Sequence, residues 1–148
     1  MLGDLRVAGC RPTWTADLGS FVTAVTAADG HVFALTSGAK LTSLDAAGGT
    51  VEWRATLPAH GVSVAVADGL LYAPGGSSVQ AFHLEGCGLA TCAPNWATDL
   101  RAAASANLVV ASGVLYAGAE DATVTCSSRA ASRPRRPRCS APRSDRTA

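Results

Sequence analysis

The residues Trp53-Arg-Ala-Thr-Leu57 recur in altered form as Trp14-Thr-Ala-Asp-Leu18 and Trp96-Ala-Thr-Asp-Leu100. Sixteen residues after Trp14 stands Gly30, in Asp29-Gly30-His31-Val32-Phe33-Ala34. Sixteen after Trp53 stands Gly69, in Asp68-Gly69-Leu70-Leu71-Tyr72-Ala73, and seventeen after Trp96 stands Gly113, in Ser112-Gly113-Val114-Leu115-Tyr116-Ala117. The register holds for ten or eleven residues more, to Leu41, Val79 and Val124. Four landmarks kept in step three times define a repeat of about 40 residues, and repeats decide a fold before any single motif does.

Each unit reads as β structure. Val62-Ser-Val-Ala-Val66 alternates with the period of two of a half-buried strand. Asp-Gly at 29–30 and at 68–69 supplies a tight reversal, because glycine reaches positive φ at little cost. His31–Leu35 and Leu70–Ala73 follow as returning strands, rich in residues that suit a pleated surface. A Gly/Ser turn then leads to a third run, Leu41–Leu44 or Val79–Phe82, and after a Gly-rich loop the Trp strand closes the unit. No segment carries an apolar stripe of period 3.6 over ten residues. Four short strands per repeat is the pattern of a propeller blade. The fold expected is all-β, a partial β-propeller of about two and a half four-stranded antiparallel blades.

The unit resembles the PQQ-like, or quinoprotein-type, repeat of the WD40/YVTN-like propeller superfamily. That family has a docking motif Ala-x-Asp-x-x-Thr-Gly-x-x-x-Trp, which Ser43-Leu-Asp45-Ala-Ala-Gly48-Gly49-Thr-Val-Glu-Trp53 matches at Asp45, Gly49 and Trp53. It departs at Ser43 and Gly48; in the next copy His83 replaces the Asp, and Trp96 arrives four residues late. The resemblance implies that Trp14, Trp53 and Trp96 pack between blades, where a large flat ring fills the gap between neighbouring sheets. It covers residues 10–126, divided into a closing strand at 10–18, repeats at 19–57 and 58–100, and a partial repeat at 101–126. Residues 1–9 read as an N-terminal remnant, so the expectation is a fragment of a larger propeller protein.

The 148-residue chain has net charge +1, but the average conceals a division. Residues 1–126 hold five basic residues against ten acidic ones, whereas residues 127–148 hold seven Arg against Asp145 alone. That tail has no aliphatic residue larger than Ala and is expected to be disordered, having too little apolar area to offset its ordering entropy. It interrupts a repeat near Cys126, which favours a shifted reading frame over a nucleic-acid-binding arm; no aromatics interleave for base stacking, and Pro134 and Pro137 oppose a basic helix. No apolar run is long enough to span a membrane.

Five cysteines stand at 10, 87, 92, 126 and 139. Cys87 and Cys92 flank four residues inside the lengthened second docking loop, a spacing that can close a small disulfide. A zinc site is disfavoured, since no second Cys pair or paired His supplies its other ligands, and free thiols remain open. A disulfide would place the parent protein outside the reducing cytoplasm. His31, His60 and His83 read as surface or rim residues, and Asp29, Asp45 and Asp68 as turn formers at repeat positions. No catalytic, cofactor-binding or metal-binding residue is assigned. The reading is a non-catalytic binding or scaffolding module, with a protein partner or self-association through exposed blade edges. The alternative is a fragment of a PQQ-dependent quinoprotein dehydrogenase, which the resemblance allows but whose site would draw ligands from many blades.

Overall fold

The computed structural model describes residues 11–105 and 107–128. The expected remnant at 1–9, Cys10, Cys139 and the tail beyond Ser128 lie outside the described residues. Within them the chain forms three antiparallel sheets and no helix. The first sheet orders β1 (Val22–Ala28), β2 (His31–Thr36), β3 (Lys40–Asp45) and β4 (Val51–Thr56) as in the sequence. The second does the same with β5 (Ala65–Ala67), β6 (Leu70–Gly75), β7 (Ser78–His83) and β8 (Trp96–Asp99). The third holds β9 (Val109–Ala111), β10 (Val114–Gly118) and β11 (Val124–Ser128). Adjacent β1, β5 and β9 are the first strand of each sheet, so the sheets succeed one another as propeller blades do.

The first hairpin of each blade turns on two residues with positive φ: Asp29 and Gly30 at 50° and 83°, Asp68 and Gly69 at 52° and 76°, Ser112 and Gly113 at 51° and 75°. Positive φ at both central positions is what a type I′ turn requires, and its twist matches that of the flanking strands. The ladders close directly on these turns, pairing Ala28 with His31, Ala67 with Leu70 and Ala111 with Val114.

Packing explains why β6 is buried along its whole length. Leu71 and Ala73 point into a core shared with Phe33, Leu35, Leu41 and Trp53 of the first blade. Leu70 and Tyr72 point the other way, into a core shared with Leu115 and Ala117 of the third. A strand buried on both faces needs a continuous apolar run rather than alternation, and Leu-Leu-Tyr-Ala meets that need. Polar ties join the inner ends: Thr23 Oγ1 donates to the Gly61 carbonyl at 2.7 Å, and the Leu108 amide donates to Ser63 Oγ at 3.3 Å.

Three boundaries differ from the sequence reading. The strand expected from Val62 pairs only from Ala65, because Gly61 to Val64 cross from the first blade to the second. No strand forms over the described part of the 10–18 segment, since among the described residues no strand lies alongside it to supply a ladder. At the other end β11 runs to Ser128, paired with Val114, two residues past the expected end of the repeats at Cys126.

Gly69 tests the turn alone, since a Cβ there would meet nothing within 4 Å. Gly69→Ala is expected to lower unfolding free energy by about 1 kcal/mol through backbone strain. Urea denaturation of both proteins measures this, and an unchanged midpoint would contradict the turn assignment.

Candidate functional site: the seam between blades

Two of the three tryptophans of the repeat, Trp14 and Trp53, dock on the blade that follows them. Trp14 Nε1 donates to the Ala46 carbonyl at 3.0 Å, and Trp53 Nε1 donates to the Leu84 carbonyl at 3.1 Å. Both acceptors lie just past the third strand of the next sheet, 32 and 31 residues along the chain. Trp53 is 2 % exposed and stacks at tilted angles between Phe33 of its own blade and Phe82 of the next, at 6.1 and 5.7 Å. Trp96 on β8 is half-buried against the second core, edge-on to Tyr72 at 5.8 Å.

The rings rest on glycines. A Cβ on Gly49 would stand 2.4 Å from Trp14, and one on Gly86 would stand 2.5 Å from Trp53. Asp45, Gly49 and Trp53 match a single motif in the sequence, yet they serve two different seams. Gly49 receives Trp14, whereas Trp53 leaves for Gly86. Gly86 was not singled out in the sequence; its signal is its distance of 33 residues from Trp53, close to the 35 between Trp14 and Gly49.

The remaining motif positions build the same loops. Asp45 accepts from the Gly48 amide at 2.8 Å, which closes the first docking turn. Ser43, where the family has Ala, is fully buried and donates to Glu52 Oε2 at 2.8 Å. The same carboxylate oxygen meets His31 Nδ1 at 2.5 Å. His31 and His83 line a cleft of about 470 Å³ between the first two blades, with Asp29, Gly69, Glu85 and Gly86. His60 is exposed on the crossing segment. Among the described residues no three His, Cys, Asp or Glu side chains converge as a metal site. Asp121 has its carboxyl held below the usual range, chiefly by the Thr123 hydroxyl, and serves the β10–β11 turn.

Cys87 and Cys92 form a disulfide, with Cα atoms 5.7 Å apart. The loop they close lies against the first blade. The Arg54 amide donates to the Ala90 carbonyl at 2.9 Å, and the Cys92 amide donates to the Arg54 carbonyl at 2.8 Å. Cys126 is also disulfide-bonded.

Blades of four short strands in series, joined by a tryptophan seated on the next blade's docking loop, define a PQQ-like β-propeller array. The chain belongs to the family described as outer membrane protein assembly factor BamB, which it matches over residues 6–88, more than half of its length. Similar solved structures include BamB from Moraxella catarrhalis, at a TM-score of 0.62 and 16 % identity, over 75 % of this chain and 34 % of that one. The WD40 repeats of RRP9 are similar at 0.63 and 13 %, over 75 % and 36 %. U3-55K is similar at 0.63 and 12 %, over 75 % and 37 %. The chain thus spans about a third of the structures it resembles. No curated protein sequence matches it.

Gly86→Ala is expected to cost about 3 kcal/mol, since overpacking against a ring held on both sides adds to the backbone strain. Gly69→Ala carries similar strain without the clash, so equal losses in the two variants would refute the docking role. Trp53→Phe keeps an aromatic ring but removes the donor to Leu84; a loss of about 1–2 kcal/mol is expected by the same denaturation assay.

Proposed function

We propose that the chain is a non-catalytic binding or scaffolding surface, part of a longer propeller protein. The observation that carries this reading is apolar exposure at both ends of the array. Phe21 is 87 % exposed beside Val22 and Val25 on the first sheet, and Val124 is 74 % exposed beside Val109 and Tyr116 on the third. Apolar side chains grouped in this way favour a further blade, a protein partner or another copy of the chain. The polar residues of the repeat support the same reading, because Asp45 closes the docking turn and Ser43, Glu52 and His31 are engaged with one another across strands.

The family's description as an outer membrane protein assembly factor and the WD40 repeats among the neighbours fit a protein-contacting role. Together with the Cys87–Cys92 disulfide, that description also supports an extracytoplasmic parent protein. No helix among the described residues is long and apolar enough to cross a membrane.

Sedimentation velocity of the full chain is expected to show concentration-dependent association, shifted toward monomer by Phe21→Asp combined with Val25→Asp. A monodisperse monomer with a cooperative melt would overturn self-association. Adding PQQ with calcium is expected to leave Tm unchanged. A clear rise in Tm would instead favour the dehydrogenase reading, because a ligand that binds the folded state stabilises it.

A further inference from the structure

We propose that the Cys87–Cys92 disulfide is a redox-operated clasp that fastens the second blade to the outer edge of the first. In the first blade only residues 46–50 separate the third and fourth strands, whereas residues 84–95 do so in the second. The added length does not fold over its own sheet. It reaches back to β4, where Arg54 and Thr91 form a parallel bridge. Both main-chain groups of Arg54 are used there, the amide by Ala90 and the carbonyl by Cys92.

The two ends of the staple sit in different surroundings. Cys92 is 6 % exposed and belongs to the core that contains Trp53, Leu84 and Phe82. Cys87 is exposed, and so is Leu89 at the loop tip, so apolar burial does little to hold the loop between them. Two backbone hydrogen bonds do not offset the entropy of ordering six residues, one of them Gly88. The covalent link restricts the loop beforehand, and that restriction lets the Arg54 bridge persist.

Reduction therefore has a local consequence. A dithiol supplies two electrons and two protons; the Cys87–Cys92 bond breaks, both cysteines become thiols, and the dithiol closes into its own disulfide. The loop then leaves β4, and the main-chain groups of Arg54 return to solvent as an open sheet edge. Trp53 stays seated, because its acceptor Leu84 and its floor Gly86 both precede the stapled segment.

Amide hydrogen exchange on the full chain tests the clasp. Dithiothreitol is expected to speed exchange at Arg54 and Cys92 by on the order of tenfold or more, while Phe33 and Leu71, deep in the two sheets, keep their rates. Alkylation afterwards confirms that Cys87 and Cys92 were reduced. A C87S/C92S variant is expected to exchange quickly at Arg54 from the start and to ignore the reductant there, which separates this bond from the one at Cys126. Unchanged exchange at Arg54 in protein reduced at both cysteines would overturn the proposal. Equal acceleration at Arg54, Phe33 and Leu71 would overturn it as well, since that marks loss of the whole fold. Should the variant fail to fold, the reductant arm decides alone, because it begins from folded protein.

Discussion

The hydrogen bond from the Trp53 indole to the Leu84 carbonyl organises the seam on which the first two blades depend. By itself such a bond is worth only about 1 kcal/mol. Its larger effect is geometric. To reach that carbonyl the ring must stand between Phe33 and Phe82, tilted to both, where it fills the core between the two sheets. Trp14 makes the equivalent bond one repeat earlier, to Ala46, so a single rule of assembly is used twice. A repeat array is stabilised through nearest-neighbour interfaces of this kind, and each blade holds little apolar surface that it can bury alone.

The middle sheet shows what that rule requires of a sequence. Leu70, Leu71, Tyr72 and Ala73 are all buried, yet they belong alternately to two cores. A charged side chain at Leu70, Leu71 or Ala73 would be buried in the apolar surroundings of one seam or the other. The same logic accounts for Ser43. Its hydroxyl faces a buried position that the family fills with alanine, and it is satisfied because Glu52 on the neighbouring strand accepts from it. His31 shares the same carboxylate, so three polar side chains close on one another at the edge of an apolar seam.

Most of the fold was legible because its signals are local. Asp29-Gly30 and Asp68-Gly69 announce their turns through the residue types that tolerate positive φ, and the tryptophans announce the seams through their spacing. What was not legible depends on distant partners. Gly86 lies in a loop whose lengthening obscured the motif, and only the ring resting on it reveals its role. Arg54 gives no sign in the sequence that it receives the stapled loop, because it does so through main-chain groups that every residue but proline carries in full. The short β5 starts later than its sequence pattern for a related reason. Alternation at Val62 to Val66 marks which side chains face inward, but a ladder also needs an adjacent strand, and that begins only at Ala65.

Edges and faces are managed differently along the array, and the difference bears on what the molecule can contact. The outer edge of β4 is bridged at Arg54 by the stapled loop, so strand addition at that point is blocked while the loop is in place. The inner strands β1, β5 and β9 run side by side, tied by Thr23 to Gly61 and by Ser63 to Leu108. Apolar side chains remain uncovered at Phe21 and Val22, where the first sheet begins, and at Val124 in the third. The seam between the first two blades shows what joins one blade to the next. It needs a flat ring with a donor on one side, and a glycine beside a free carbonyl on the other.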